Sequence, residues 1–155
     1  MIQEVDVSKE PFVLKQEDAE VLRVLGCEVR FLCRGERTGK AWSVMECVTP
    51  RDAGPPPHHH VWDEGYFIVA GQLRFSVDGR ETIATAGDFV YVPGGTLHGF
   101  AGASEEPARV LIFDAPSTAE GFFRDAAREV RELPGDLGKV PGIGARHGIA
   151  FAPPK

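Results

Sequence analysis

Between Leu73 and Val77 every second position is apolar: Leu73, Phe75 and Val77 alternate with Arg74 and Ser76. A period of two places one set on a buried face and the other on a wet one, as in a half-buried β-strand. Asp78-Gly79 follows, a pair that supplies the positive φ angles of a tight type I′ turn. Thr82 and Ile83 lie beyond it, so this stretch is predicted to be a β-hairpin. Similar short apolar segments recur along most of the chain, separated by glycine and proline. The predicted strands are 28–33, 41–48, 66–70, 72–77, 81–84, 89–92, 98–101 and 109–114. The pattern is that of an all-β domain.

One segment departs from it. Phe122, Ala126 and Val130 recur every four residues, with Phe123 and Ala127 beside them and Arg124, Asp125, Arg128 and Glu129 opposite. That is the stripe of an amphipathic helix. Ser117 and Glu120 stand at capping-box spacing after Pro116. A helix over about 117–133 is therefore expected, its apolar face packed on the outside of a sheet. From Pro134 onward nine of 22 residues are Gly or Pro, and an irregular tail is expected over 134–155, with His147 as a surface residue.

Length adds a bound: 155 residues suffice for one domain with a sizeable core. The expectation is a single domain over 1–155, with its core at about 28–116. The 17 basic and 23 acidic residues give a net charge of −6. An acidic surface repels phosphate backbones and anionic lipid, so neither nucleic acid nor a membrane is expected as partner. No apolar run reaches the roughly 20 residues of a membrane span. The first residues, Met-Ile-Gln-Glu-Val-Asp, lack the basic start and apolar stretch of a signal peptide, so a cytoplasmic protein is expected. Cys27, Cys33 and Cys47 are odd in number and include no C-x-x-C pair, which reads as free thiols in strands.

Candidate chemistry concentrates in the histidines. Four of five lie between positions 58 and 98. In an extended segment residues i and i+2 share a face, so His58 and His60 point together and His59 points away. Two imidazoles on one face can converge on one ion. Glu64 adds an oxygen donor, although strict alternation puts both Trp62 and Glu64 on the His58 face. A bend near Asp63-Glu64-Gly65 is expected to settle this. An affinity-tag-like surface cluster would be longer and terminal; here the apolar run Tyr66-Phe-Ile-Val-Ala70 follows at once. A second segment, Gly87-Asp-Phe-Val-Tyr-Val-Pro93-Gly-Gly95-Thr-Leu-His98, runs a strand into a tight turn and delivers one more histidine beyond it.

These two segments resemble the paired motifs of the cupin superfamily. The first family motif is G-x5-H-x-H-x3-4-E-x6-G. The chain has His58-x-His60, three residues to Glu64, then six to Gly71; Gly54 stands only three residues before His58. The second is G-x5-P-x-G-x2-H-x3-N. Gly87, Pro93, Gly95 and His98 match, and Gly102 replaces the final Asn. The resemblance implies a double-stranded β-helix, a cupin or jelly-roll barrel, with a C-terminal helix packed outside. It implies one divalent transition-metal ion (Fe, Mn, Ni, Co, Cu or Zn) held by His58, His60, Glu64 and His98. It also implies a homodimer.

Alternation from the ligands turns Tyr66 and Phe100 towards the pocket. Glu46, on the preceding strand, is a further candidate for the pocket, with a solvated strand face as its other reading. Three neutral imidazoles and one carboxylate leave two octahedral positions open for water, O₂ or substrate. The softer features, Gly54-Pro-Pro-Pro-His and the Phe-rich helix after Pro116, are similar to small quercetin 2,3-dioxygenase-like proteins. That similarity implies a dioxygenase acting on an enolic or aromatic small molecule, with Glu64 as ligand and catalytic base. Two alternatives are a non-redox isomerase or polyketide cyclase that uses the ion as a Lewis acid, and a non-catalytic module that binds or senses a small molecule.

Overall fold

A computed structural model describes residues 9–153. The termini of the expected 1–155 domain lie outside the described residues. The chain forms β1 (Val21–Val24), β2 (Cys27–Cys33), β3 (Ser43–Thr49), β4 (His58–His59), β5 (Asp63–Ala70), β6 (Gln72–Val77), β7 (Arg80–Thr85), β8 (Phe89–Val92), β9 (His98–Gly102) and β10 (Ala108–Ala115). Helix α1 (Glu120–Glu129), helix α2 (Val140–Arg146) and the short strand β11 (Ala150–Phe151) complete it. The hairpin expected at Asp78-Gly79 is present. These residues have φ of 48° and 80°, and Val77 pairs with Arg80, as a two-residue turn with positive φ requires.

The strands make two sheets. One has the order β1-β2-β3-β10-β5-β8 and the other β11-β4-β9-β6-β7. This corrects the expected barrel: the domain is all-β, but neither sheet closes on itself. Among the described residues β1 and β8 end one sheet, and β11 and β7 end the other. A barrel needs hydrogen bonds that join the last strand to the first. Here the two sheets are joined by the chain's crossings and by side chains packed between them. Met45, Ile68, Leu73, Phe75, Val92 and Val110, all essentially inaccessible to solvent, fill the space between them. Full burial of each such side chain contributes about 1.5–3 kcal/mol.

The chain crosses from one sheet to the other at β3–β4, β4–β5, β5–β6, β7–β8, β8–β9, β9–β10 and, through the two helices, β10–β11. The β5–β6 corner turns on Gly71. Its φ is +75°, and an added Cβ would stand 2.8 Å from Ala108 Cα, so a side chain has neither the angle nor the room there.

The C-terminal part differs from expectation in several ways. Helix α1 is shorter than 117–133, and the capping box does not form: Ala119 is the N-cap and makes no side-chain cap bond. Glu120 instead accepts the Gly35 N–H at 2.6 Å, tying the helix start to the loop after β2. The helix does not merely pack on the outside either, because Phe122 and Phe123 reach a cavity between the sheets. The segment from Pro134, expected to be irregular, holds α2 and β11. His147 is tied down too, with Nε2 2.7 Å from Asp125 Oδ2. No described helix is long and apolar enough to cross a membrane.

Candidate metal centre

The two sheets each contribute to one buried cluster. His58 on β4 and His98 on β9 are direct cross-strand partners, with ring centroids 4.3 Å apart. Glu64 belongs to β5 in the other sheet. His60 sits in the link between β4 and β5. The bend comes at Val61-Trp62, earlier than the residues Asp63-Glu64-Gly65 suggested. It turns the Val61 side chain out, 90% exposed, and leaves His58, His60, Trp62 and Glu64 all buried. The conflict between Trp62 and Glu64 is resolved because the chain changes sheet between them and both face inward.

The turn after β8 clamps this link. Gly95 N–H donates to the His60 carbonyl at 2.7 Å, and Gly94 N–H donates to Asp63 Oδ1 at 2.8 Å. A Cβ on Gly94 would lie 2.2 Å from the Val61 carbonyl oxygen. The Pro93-Gly94-Gly95 sequence is therefore a matter of backbone approach, and it brings His98 opposite His58.

Each ring is oriented by a carbonyl. Nδ1 of His58 lies 2.8 Å from the Pro56 oxygen, that of His60 3.0 Å from the Trp62 oxygen, and that of His98 2.8 Å from the Thr96 oxygen. A carbonyl only accepts, so each Nδ1 carries the hydrogen and each Nε2 presents a lone pair. The buried Nε2 atoms of His60 and His98 have no hydrogen-bond partner. Glu64 Oε1 abuts His60 Nε2 and lies 3.7 Å from His98 Nε2. One ligand atom from each of His58, His60, Glu64 and His98 falls within 4.8 Å of every other. Inward lone pairs with no protein donor to satisfy them fit a metal ion. The cluster can coordinate one divalent transition-metal ion, and its nitrogen and oxygen donors do not single out one element.

The electrostatics agree with that use. Burial pushes the His58 ring down to about 4, and the neighbouring His98 adds to it. The ring is thus neutral and metal-ready near pH 7. Burial raises the Glu64 carboxyl, and whenever the His60 and His98 rings carry a proton on Nε2 their hydrogen bonds and charge pull it below the usual carboxylate range. Tyr66 donates its hydroxyl to Glu64 Oε2 at 2.5 Å. Burial and the Glu64 charge push the Tyr66 phenol well up, so it keeps its proton.

A narrow cavity of about 50 Å³ opens on the cluster. Tyr66 and Phe100 both line it, with ring centroids 5.6 Å apart. Glu46 does not. It lies on the opposite face of β3, 3.2 Å from Arg30 and 2.8 Å from Arg109, which corrects the pocket assignment. The alternation Ser43, Met45, Cys47, Thr49 takes the inward positions and leaves Glu46 outside.

Several cavity residues were not singled out from sequence. Asp114 is one, and its signal was present: Ala108, Val110 and Ile112 are buried at alternate positions, and Asp114 ends that series. Trp62 stacks on His60 at 4.0 Å between centroids. Phe122, Ile149 and Phe151 come from the C-terminal part. Phe151 is carried there by β11, which pairs with β4 so that Phe151 lies opposite His58. No local signal in a Gly- and Pro-rich stretch announces such a strand.

Residues 44–114 match the family model for the cupin domain. Over this stretch the chain is similar to a cupin domain. Among proteins similar in sequence is an acireductone dioxygenase of Bacillus licheniformis, 27% identical over 139 residues, which cover 76% of this chain and 74% of that protein. Another is the quercetin 2,3-dioxygenase of Bacillus subtilis, 26% identical over 115 residues. That match covers 74% of this chain but only 34% of the larger protein. Among solved structures, the polyketide cyclase RemF from Streptomyces resistomycificus superposes with a TM-score of 0.60 at 18% identity. It covers 68% of this chain and 80% of the cyclase. This last likeness is one of fold. Against these comparisons the cupin resemblance of the two motifs stands, and the narrower likeness to quercetinases rests on one distant relative.

Proposed function

We propose that the protein is a metal-dependent cupin enzyme that enolises a small carbonyl compound without consuming oxygen, as in an isomerisation or a cyclisation. The observation that carries this reading is the Tyr66 hydroxyl on Glu64, beside three histidines whose Nε2 atoms face one point. A bound divalent ion supplies Lewis acidity there, lowering the cost of negative charge on a substrate oxygen. The residues of the chain then handle the proton. Glu64, beside the His60 Nε2 atom, takes the substrate proton as base and returns it to the product, while Tyr66 keeps its own proton and holds the second carboxylate oxygen. The apolar wall around them excludes water and strengthens each of these interactions. The narrowness of the cavity favours a small ligand, since sites for drug-sized ligands run to roughly 300–1,000 Å³.

The two relatives named as dioxygenases support a second reading, in which the same residues orient an enolic substrate beside O₂. One experiment separates them. Metal-loaded protein is incubated with pentane-2,4-dione in D₂O without oxygen, and exchange at the central carbon is followed by NMR. Metal-dependent exchange that falls at least tenfold in Glu64→Gln is expected. Absence of exchange, together with oxygen uptake on flavonols or enediols, overturns the non-redox reading in favour of the dioxygenase.

The functional unit is proposed to be a homodimer. Phe67, Val69, Phe89, Tyr91 and Phe113 lie on strands β5, β8 and β10, and each is 38–59% exposed. Phe67 pairs with Phe89 and with Leu111, so the patch is continuous. At roughly 150–250 Å² per aromatic side chain, it leaves on the order of 400 Å² of apolar surface in water, the scale at which a patch marks an interface. A second copy related by a two-fold axis covers it with the same patch.

A further inference from the structure

Away from the histidine–glutamate cluster, the cavity wall is hydrocarbon. A row of rings leads off from the cluster: between centroids, Phe151 lies 5.3 Å from His58, Phe122 5.8 Å from Phe151 and Phe123 5.6 Å from Phe122. Val24 and Leu25 at the end of β1, Val29 on β2 and Ile149 before β11 also line the space, and all four are buried. The polar groups of the cavity are already engaged. The imidazoles and Glu64 converge on the metal site, the Tyr66 hydroxyl donates to Glu64, and the Trp62 N–H serves the Asp114 carboxyl. Among the described residues no lysine or arginine lines the cavity.

Such a wall discriminates by charge and by length. A carboxylate or phosphate carried into it leaves water, meets two acidic side chains and finds no cation to pair with, which an ionised group does not tolerate. An alkyl group loses nothing there, because an apolar cavity stays dry and takes up hydrocarbon. We propose that the wall built by Phe122, Phe151, Val24 and Ile149 is a tail-binding site, and that the ligand is a small carbonyl compound with its oxygens at the metal and a short uncharged alkyl tail along these residues. The volume sets the length. About 50 Å³ is a third of the roughly 150 Å³ of an apolar cavity that takes up benzene, which leaves room for a tail of about two to four carbons. Phosphorylated and carboxylated compounds are excluded. The carbonyl head rests on the enolisation reading above; the selection of the tail does not.

The test compares pentane-2,4-dione, heptane-2,4-dione, nonane-2,4-dione and 4,6-dioxoheptanoate; the last is heptane-2,4-dione with a carboxylate in place of the terminal methyl of its tail. Affinities are read by calorimetry on Zn(II)-loaded protein freed of excess metal, and the ranking is read again by saturation-transfer NMR on metal-free protein. Each buried methylene is worth about fourfold in affinity. Heptane-2,4-dione should therefore bind about tenfold tighter than pentane-2,4-dione, and 4,6-dioxoheptanoate at least about tenfold weaker than heptane-2,4-dione. Nonane-2,4-dione, too long for the space, should gain nothing further. Phe122→Ala should move that limit and bind nonane-2,4-dione about tenfold tighter than wild type does. If the alanine variant does not fold, Phe122→Leu carries the same comparison, with a gain of about threefold expected. Equal affinities along the series overturn the proposal, as does a carboxylate bound as tightly as its methyl analogue. A length limit that stays unmoved in the folded variant overturns it too, because the tail then lies elsewhere. The wild-type ranking, found together with no exchange at the central carbon, refutes the enolisation reading and supports the tail site.

Discussion

Metal-free protein should lose stability on acidification through His58, and a substitution isolates that loss. In the folded state burial holds this ring near a pKa of about 4. In the unfolded chain the ring titrates near 6.5. Between these values the unfolded state binds more protons than the folded one, so stability rises with pH across the window and is lost as pH falls from 6.5 to 4. A shift of about 2.5 units at 1.36 kcal/mol per unit amounts to about 3 kcal/mol. For a chain of this length that is roughly 6–12 °C in Tm. Other groups titrate in the same range. Asp114, pushed well up by burial and by the Glu64 charge, contributes in the opposite sense: its contribution is fully present at acid pH and is lost as pH rises towards its raised folded value. Comparison of wild type with His58→Gln removes such common contributions. Urea unfolding with a chelator present, at pH 7, 6, 5 and 4, should show the variant gaining about 3 kcal/mol relative to wild type by pH 4. A difference that stays flat with pH would refute the reasoning, because it would mean that the ring is not held neutral by its burial.

Three further outcomes are expected. His60→Ala should reduce metal occupancy, measured by mass spectrometry after dialysis, by more than the roughly 10–100-fold typical of losing an outer partner of a ligand. Gly94→Ala should destabilise the fold by about 1–3 kcal/mol and weaken metal binding with it, because its Cβ meets the Val61 carbonyl at 2.2 Å and pushes the turn off the His60 link. Phe89→Asp should shift sedimentation from dimer to monomer without altering metal content; a wild-type monomer at micromolar concentration would count against the apolar face as an interface.

Strand positions were legible wherever a single face was buried. Leu73, Phe75 and Val77 announce β6 through their period, and Asp78-Gly79 announces the turn. The histidine face was legible for the same reason, since His58 and His60 need only i, i+2 geometry to point together. What alternation cannot convey is whether sheets close. Inward and outward residues alternate equally in a barrel and in two packed sheets, and the difference lies in edge hydrogen bonds that leave no mark on side-chain pattern. Glu46 shows a related limit. Its burial comes from Arg30 and Arg109 on neighbouring strands, so a buried acid on a strand does not by itself reveal which face it occupies. Strands β4 and β11 have two residues each, too short for any period to register.

The division of labour within the site follows from that geometry. All four members of the histidine–glutamate cluster fall within residues 44–114, the stretch that matches the cupin domain. Part of the wall that faces them does not. Phe122 on α1 and Phe151 on β11 lie beyond it, with ring centroids 5.8 Å apart, and Phe151 stands 5.3 Å from His58. Gly144 on α2 makes room for that ring, since a Cβ there would come within 2.7 Å of it. The chemistry of the centre is thus built by strands whose register is fixed by backbone pairing. The shape of the space above it is built by a C-terminal segment held through aromatic packing and a two-residue strand. Changes at Phe122 or Phe151 therefore alter which ligand fits while the cluster beneath keeps its geometry, whereas a change at the Gly94 turn alters the cluster itself.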